Sequence, residues 1–161
     1  MPCQVPQLIV ETFAESSQAD EELRGIAMLA ETAVFTRTYD ETLGMIVEMR
    51  NYMTHLGPAR HKGSRGMRDL RVSCEALRVT SRLTQAMAWL MLQRAVVDGE
   101  ISAVEACAEE NLLSGRNVCL DGASLEDDEL PRGLRSLLRR SLHLYLRISR
   151  LEEMVIARVL H

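Results

Sequence analysis

Apolar residues recur at helical spacing along three long stretches of the chain, and no segment carries the two-residue alternation of a half-buried strand. The first stretch begins at about residue 18 or 20 and ends at 56. Ile26, Leu29, Ala33, Leu43, Val47 and Met53 repeat along it. Ser17 and Asp20 are both suited to the N-cap, and Glu21 and Glu22 favour the positive end of the helix dipole. Gly57-Pro58 stops this helix, because glycine takes a left-handed cap and proline cannot extend the hydrogen-bond ladder. The second stretch covers about 68 to 98 and ends at Asp98-Gly99. It carries two stripes. Leu70, Cys74, Leu77, Thr84, Ala88, Met91 and Ala95 make one, and Val79, Leu83, Met87, Leu90 and Val97 the other. The third follows Pro131, with Leu134, Leu137, Leu138, Ser141, Leu144, Tyr145, Ile148, Leu151 and Val155 on one face.

The second stretch is the most informative. From Ala86 to Val97 only Gln93 and Arg94 are strongly polar. A helix apolar on most faces has to be covered on most faces, by its own domain or by a second copy. Leu83, Met87, Trp89, Leu90, Gln93 and Arg94 are therefore the expected core or dimer segment. Arg94 is expected to pair with a carboxylate such as Glu105 or Glu109. Ser102 and Glu105 have the spacing of a capping box, which predicts a short helix over about 103–113. Residues 114–130 read as a loop with an acidic end. These elements predict an all-α protein: an antiparallel three-helix bundle with one short additional helix. The expected organisation is a flexible arm over 1–17 and a single domain over 18–161.

Charge refines this picture. The net charge of −4 hides alternating blocks. Residues 57–82 carry 7 basic and 2 acidic groups, whereas residues 98–130 carry 1 basic and 10 acidic groups. Such blocks suit docking within a bundle and steering of charged partners. Arg60, Lys62 and Arg65 in the basic connection, and Glu126, Asp127 and Asp128 in the acidic loop, are the candidate partner-binding residues. Loops on a rigid scaffold are where contact specificity is built. Arg71, Arg78 and Arg82 fall on one helical face. They would serve a nucleic-acid-associated transcriptional regulator, but base-stacking aromatics are sparse and neighbouring acidic segments compete with phosphate. No nucleic-acid partner is therefore expected.

Catalytic chemistry has little foothold. The four histidines lack ligand spacing, no Glu-x-x-His pair is present, and the four cysteines form no CxxC motif. There is no phosphate-binding glycine loop and no nucleophile elbow. No catalytic residue, metal ligand or cofactor is predicted. The N-terminus lacks the basic and apolar regions of a signal peptide, and no run of roughly 20 apolar residues could span a bilayer. A reduced cytoplasm is the expected location, without membrane insertion.

One block carries a family resemblance. In EALRVTSRLTQAMAWLMLQRAVVDGEIS, Glu75, Leu77, Arg78, Thr80, Arg82, Leu83, Gln85, Trp89, Leu90, Gln93, Arg94, Ala95, Val96, Gly99 and Glu100 resemble the signature of the alphaproteobacterial regulator-of-CtrA-degradation family. Leu130, Pro131, Ser141, Leu144, Tyr145, Arg147, Arg150 and Leu151 are similar to its last helix. Thr84 stands where the pattern has Met. The resemblance implies a homodimeric, non-enzymatic helical adaptor. It would assist ClpXP proteolysis of cell-cycle regulators such as CtrA, together with other adaptors, through protein–protein contacts.

Overall fold

A computed structural model describes residues 32–55 and 66–160. The chain divides into two compact units, Met1–Arg37 and Thr38–His161. Within the first, residues 32–37 are helical. The expected arm over 1–17, the start of the first helix and the connection bearing Arg60, Lys62 and Arg65 lie outside the described residues.

Three long helices build the larger unit. Helical residues 32–55 form α1, whose residues from 38 onward belong to this unit. Met67–Val97 form α2. Two single-turn helices follow, α3 (Ala103–Ala106) and α4 (Arg116–Cys119), with a 3-10 turn at Glu109–Asn111 between them. Arg132–Leu160 form α5. Among the described residues there is no strand, so the all-α bundle is as expected. The connection differs in detail: two short helices and a 3-10 turn replace the single short helix.

Helix ends follow local chemistry. At the end of α2, Gly99 has φ +75°, and its amide donates to the Val96 carbonyl at 3.1 Å. The Glu100 amide reaches back to Ala95 at 2.9 Å, completing a Schellman cap. At α3, the Glu105 amide donates to Ser102 Oγ at 3.1 Å, and the Ser102 amide donates to Glu105 Oε2 at 2.9 Å. This is the predicted capping box, and hydrogen bonding to the carboxylate from the Ser102 backbone amide, then from its hydroxyl, holds the Glu105 carboxyl below the usual range. Pro131 immediately precedes α5, and its carbonyl accepts from the Arg135 amide at 3.0 Å. The ring's lost donor therefore costs no ladder bond.

Helix directions follow from the cross-contacts. Glu41 pairs with Arg147, Glu48 with Arg140, and the Tyr52 ring lies against Gly133. Thus α1 runs antiparallel to α5. By contrast α5 runs parallel to α2. The N-terminal arginines Arg68 and Arg71 reach Glu129 just before α5, and Arg82 in the middle of α2 reaches Leu138 and Ser141. Parallel neighbours need a long return. Residues 98–131 supply it by climbing back along α2: Ser114 lies beside Gln85, Asp121 beside Arg78, Ser124 beside Glu75, and Asp127 beside Arg71. The antiparallel arrangement expected for the bundle therefore holds between α1 and α5, not between α2 and α5.

The core forms where these elements meet. Val72, Ala76, Val79, Leu83, Ala86, Trp89 and Leu90 are buried on α2, and Leu134, Leu137, Leu138, Leu144, Tyr145 and Ile148 on α5. Ala76, Ala86 and Ser141 are fully buried small residues that let the helix backbones approach.

Arg82 is the exception within this core, a fully buried cation. Its Nε donates to the Cys119 carbonyl at 2.7 Å and its Nη2 to the Asp121 carbonyl at 2.6 Å. Its Nη1 donates to the Leu138 carbonyl at 2.9 Å and reaches Ser141 Oγ at 3.4 Å. Desolvation, followed by the like charge of Arg78, pushes its pKa down from the ordinary arginine value. One planar fork thereby ties α2, the return segment and α5 together. Arg82→Met leaves the Cys119 and Asp121 carbonyls without its donors, at about 1–3 kcal/mol each before water enters, while the Leu138 carbonyl keeps the Ser141 hydroxyl. We expect a loss of roughly 3–5 kcal/mol in urea denaturation. Arg82→Lys should recover only part, because one ammonium cannot reproduce the fork. A methionine variant as stable as the parent would refute the assignment.

Candidate docking site

Two surfaces are candidates for docking. The first is the return segment. Glu152 on α5 is buried and accepts from the Leu113 amide at 2.6 Å and from Arg116 Nη2 at 3.0 Å. The Tyr145 hydroxyl donates to the Ser114 carbonyl at 3.3 Å. Arg78 bridges Glu75 and Asp121, and Ser124 Oγ donates to Glu75 at 2.8 Å. With Arg82, these contacts hold residues 113–124 in the groove between α2 and α5. The burial of Tyr145 follows from its place on the apolar face of α5, whereas the buried roles of Arg82 and Glu152 could not be read from helical spacing. The only signal was that each lies close to the apolar stripe of its helix.

The acidic end of this segment carries the candidate residues Glu126, Asp127 and Asp128. Asp127 is largely covered and pairs with Arg71, which also binds Glu129. Asp128 pairs with Arg135 while 94% exposed, and Glu126 lies 3.6 Å from Arg139 while 90% exposed. The acidic and basic blocks thus meet inside one chain. Exposed pairs of this kind add little stability, so Glu126 and Asp128 remain accessible to a partner. The supposed basic face of α2 is not a free surface: Arg82 is buried, and Arg71 and Arg78 are paired with carboxylates.

The second surface is α2 itself. Its two stripes have different fates. Leu83 and Leu90 of one are buried, as is Trp89 beside them. Met87 and Gln93 are half-buried. Val97, assigned by its spacing to this stripe, is 81% exposed because it sits in the last turn beyond the covering elements. The other stripe lies on the opposite face: Leu70, Cys74, Leu77, Thr84, Ala88 and Met91 are exposed, so α2 does carry two apolar faces. Arg94 pairs with Asp98 one turn on, at 3.6 Å, not with Glu105 or Glu109. An exposed arginine meets its helical neighbour more readily than a residue on the next element, because the i,i+4 geometry is already fixed. At one edge of the stripe, Gln85, Ala88, Trp89 and Leu92 border a half-open cavity of about 240 Å³. Residues 110–114 close its far side.

Among the described residues, no three His, Cys, Asp or Glu side chains are grouped to hold a metal ion. Among the same residues no helix is long and apolar enough to cross a membrane.

Comparison with known proteins places this architecture. A family profile described as "Protein of unknown function (DUF1465)" matches residues 26–160. The crystal structure of RcdA from Caulobacter crescentus CB15 matches at 33% identity and a TM-score of 0.58, covering 75% of this chain and 89% of that one. The chain belongs to the RcdA family. No curated protein matches. The RcdA resemblance read from residues 75–102 and 130–153 is therefore sound, and the family signature maps onto α2 and α5, the two helices that Arg82 joins.

The site also predicts a pH response. Burial pushes the Tyr145 hydroxyl up to about 12, with contributions from neighbouring Cys119, and burial likewise raises the Cys119 thiol. In the unfolded chain these groups would ionise near ~10 and ~8.5. Above those values the unfolded state has released protons that the folded state retains, so stability falls as pH rises toward about 12. Tyr145→Phe should flatten the decline measured by urea unfolding between about pH 10 and 12. An unchanged slope would remove Tyr145 as its source.

Proposed function

We propose that this protein is a non-enzymatic adaptor for regulated proteolysis, working in the cytoplasm as a homodimer. By family resemblance it assists ClpXP in degrading cell-cycle regulators such as CtrA, and it does so through contacts with substrates and with other adaptors. The observation that carries this reading is the 33% identity with RcdA across most of both chains. The surface is compatible with the role: one helix keeps an apolar face beyond what its own core uses, and paired charges leave carboxylates such as Glu126 and Asp128 accessible. Partner capture through Arg60, Lys62 and Arg65 belongs to the same proposal. A nucleic-acid-binding role loses its support once Arg71, Arg78 and Arg82 are seen to be engaged.

In a strain lacking the protein, a CtrA-like regulator should persist several-fold longer after synthesis is blocked. Restoring the parent chain should restore its turnover. The purified protein should accelerate degradation only in the presence of the unfoldase–protease and its other adaptors. Unchanged half-lives in the deletion strain would sink the proposal.

A further inference from the structure

The face of α2 turned away from the core has a regular composition. Met67, Leu70, Cys74, Leu77, Ser81, Thr84, Ala88, Met91 and Ala95 recur at alternating steps of three and four, the spacing of a coiled-coil seam. Met67, Leu70, Leu77 and Met91 are between 58% and 75% exposed. At ~1.5 Å per residue the seam is roughly 42 Å long. With its flanking rows it is one to two helix diameters wide. That gives roughly 400–900 Å² a side, which reaches the ~800 Å² of a standard interface.

We propose that a second copy of this chain packs antiparallel on this seam, α2 against α2. This rests on the homodimer reading above and adds its surface, direction and register. Side-chain size carries the argument. Bulky residues, Met67, Leu70 and Leu77, dominate the first half of the seam. Small ones, Thr84, Ala88 and Ala95, dominate the second, with Met91 among them. An antiparallel partner sets Leu70 opposite Ala95, Cys74 opposite Met91, Leu77 opposite Ala88 and Ser81 opposite Thr84. Each layer then pairs a larger side chain with a smaller one, the condition for even packing along a seam. A parallel partner stacks leucine on leucine at one end and alanine on alanine at the other. Helices held apart by the leucines would leave the alanine layers open, and unfilled layers are destabilising.

The length of the helix selects the register. The stated pairing gives every seam residue from Leu70 to Ala95 a partner within α2. Sliding the partner by one heptad either stacks Met67 on Met91 and leaves Ala95 unpaired, or carries Leu70 beyond the end of the partner helix. The two hydroxyl-bearing residues share the layers nearest the two-fold axis. There Ser81 and Thr84 can bond to one another or to their own helix carbonyls.

Cys74 provides the test. In the antiparallel register the two Cys74 residues lie about 25 Å apart along the seam, far beyond disulfide reach. The chain is made with Cys3→Ser and Cys107→Ser, leaving Cys119 buried. Under mild oxidation it should remain uncrosslinked, whereas adding Met91→Cys should yield a covalent dimer. In light scattering, Leu77→Glu should weaken dimerisation at least roughly 100-fold with an unchanged helical circular dichroism spectrum, since Leu77 is already solvent-facing. A Cys74–Cys74 bridge would overturn the direction. A dimer that survives Leu77→Glu would overturn the surface, including the case in which the seam captures another protein instead. A parent chain monomeric at micromolar concentration would overturn the homodimer reading itself.

Discussion

A buried guanidinium cannot be left with empty donors. That constraint on Arg82 organises the molecule. The charge is tolerable only while carbonyls surround it, and no single helix can supply them: helical carbonyls are mostly occupied by their own ladder. Two of the three carbonyls therefore come from the return segment at Cys119 and Asp121, where the backbone is not fully paired along a helix. The third, at Leu138, belongs to α5 and is bonded at 2.9 Å. The return segment and the parallel course of α5 are consequences of one another. A chain that leaves α2 and re-enters beside it in the same direction must climb the length of the helix. The climb puts unpaired carbonyls where Arg82 needs them.

The same arrangement explains why α2 is apolar on two sides. α5 and the return segment bury its broad inner face from Val72 to Leu90. The return segment lies along one flank, fixed by Glu152, Tyr145 and the Arg78 bridge, and does not extend over the outer seam. A helix in a small bundle normally turns polar residues outward. Here Leu70, Leu77 and Met91 stand in those places. That departure costs solubility without adding to the core of the monomer, and association would offset it.

Much of this was legible in the sequence because it is local. Gly99 as the stop of α2, the Ser102–Glu105 capping box, Pro131 before the last helix, and Trp89 as an interior residue each depend on neighbours within a turn. The two stripes of α2 were visible as well, though spacing alone could not say which one the core would take. The direction of α5 was not legible. An acidic loop over 114–130 looks the same whether it closes a tight hairpin or climbs back along a helix, and the α4 turn within it has too few residues for a periodic signal. The enclosure of Arg82 is not legible for a related reason. Helical spacing placed it with Arg71 and Arg78, but it sits closer to the buried face, and only tertiary partners decide whether such a residue is solvated or enclosed.

Charge followed the same logic. The sequence displays a basic block and an acidic block. Only the fold brings Arg71 to Asp127 and Glu129, Arg135 to Asp128, and Arg139 to Glu126. Once these pairs form, the charges they involve are largely neutralised within the chain, so these residues contribute less to long-range steering than the composition suggests. Breaking exposed pairs in order to bind an ionic partner exchanges one set of weak contacts for another. Among the described residues the seam of α2 has no such internal competitor, and Leu70, Leu77 and Met91 stay exposed. Specific association at this surface is then expected to draw its free energy from apolar burial along the helix. The carboxylates at Glu126 and Asp128 are left to adjust orientation and rate more than affinity.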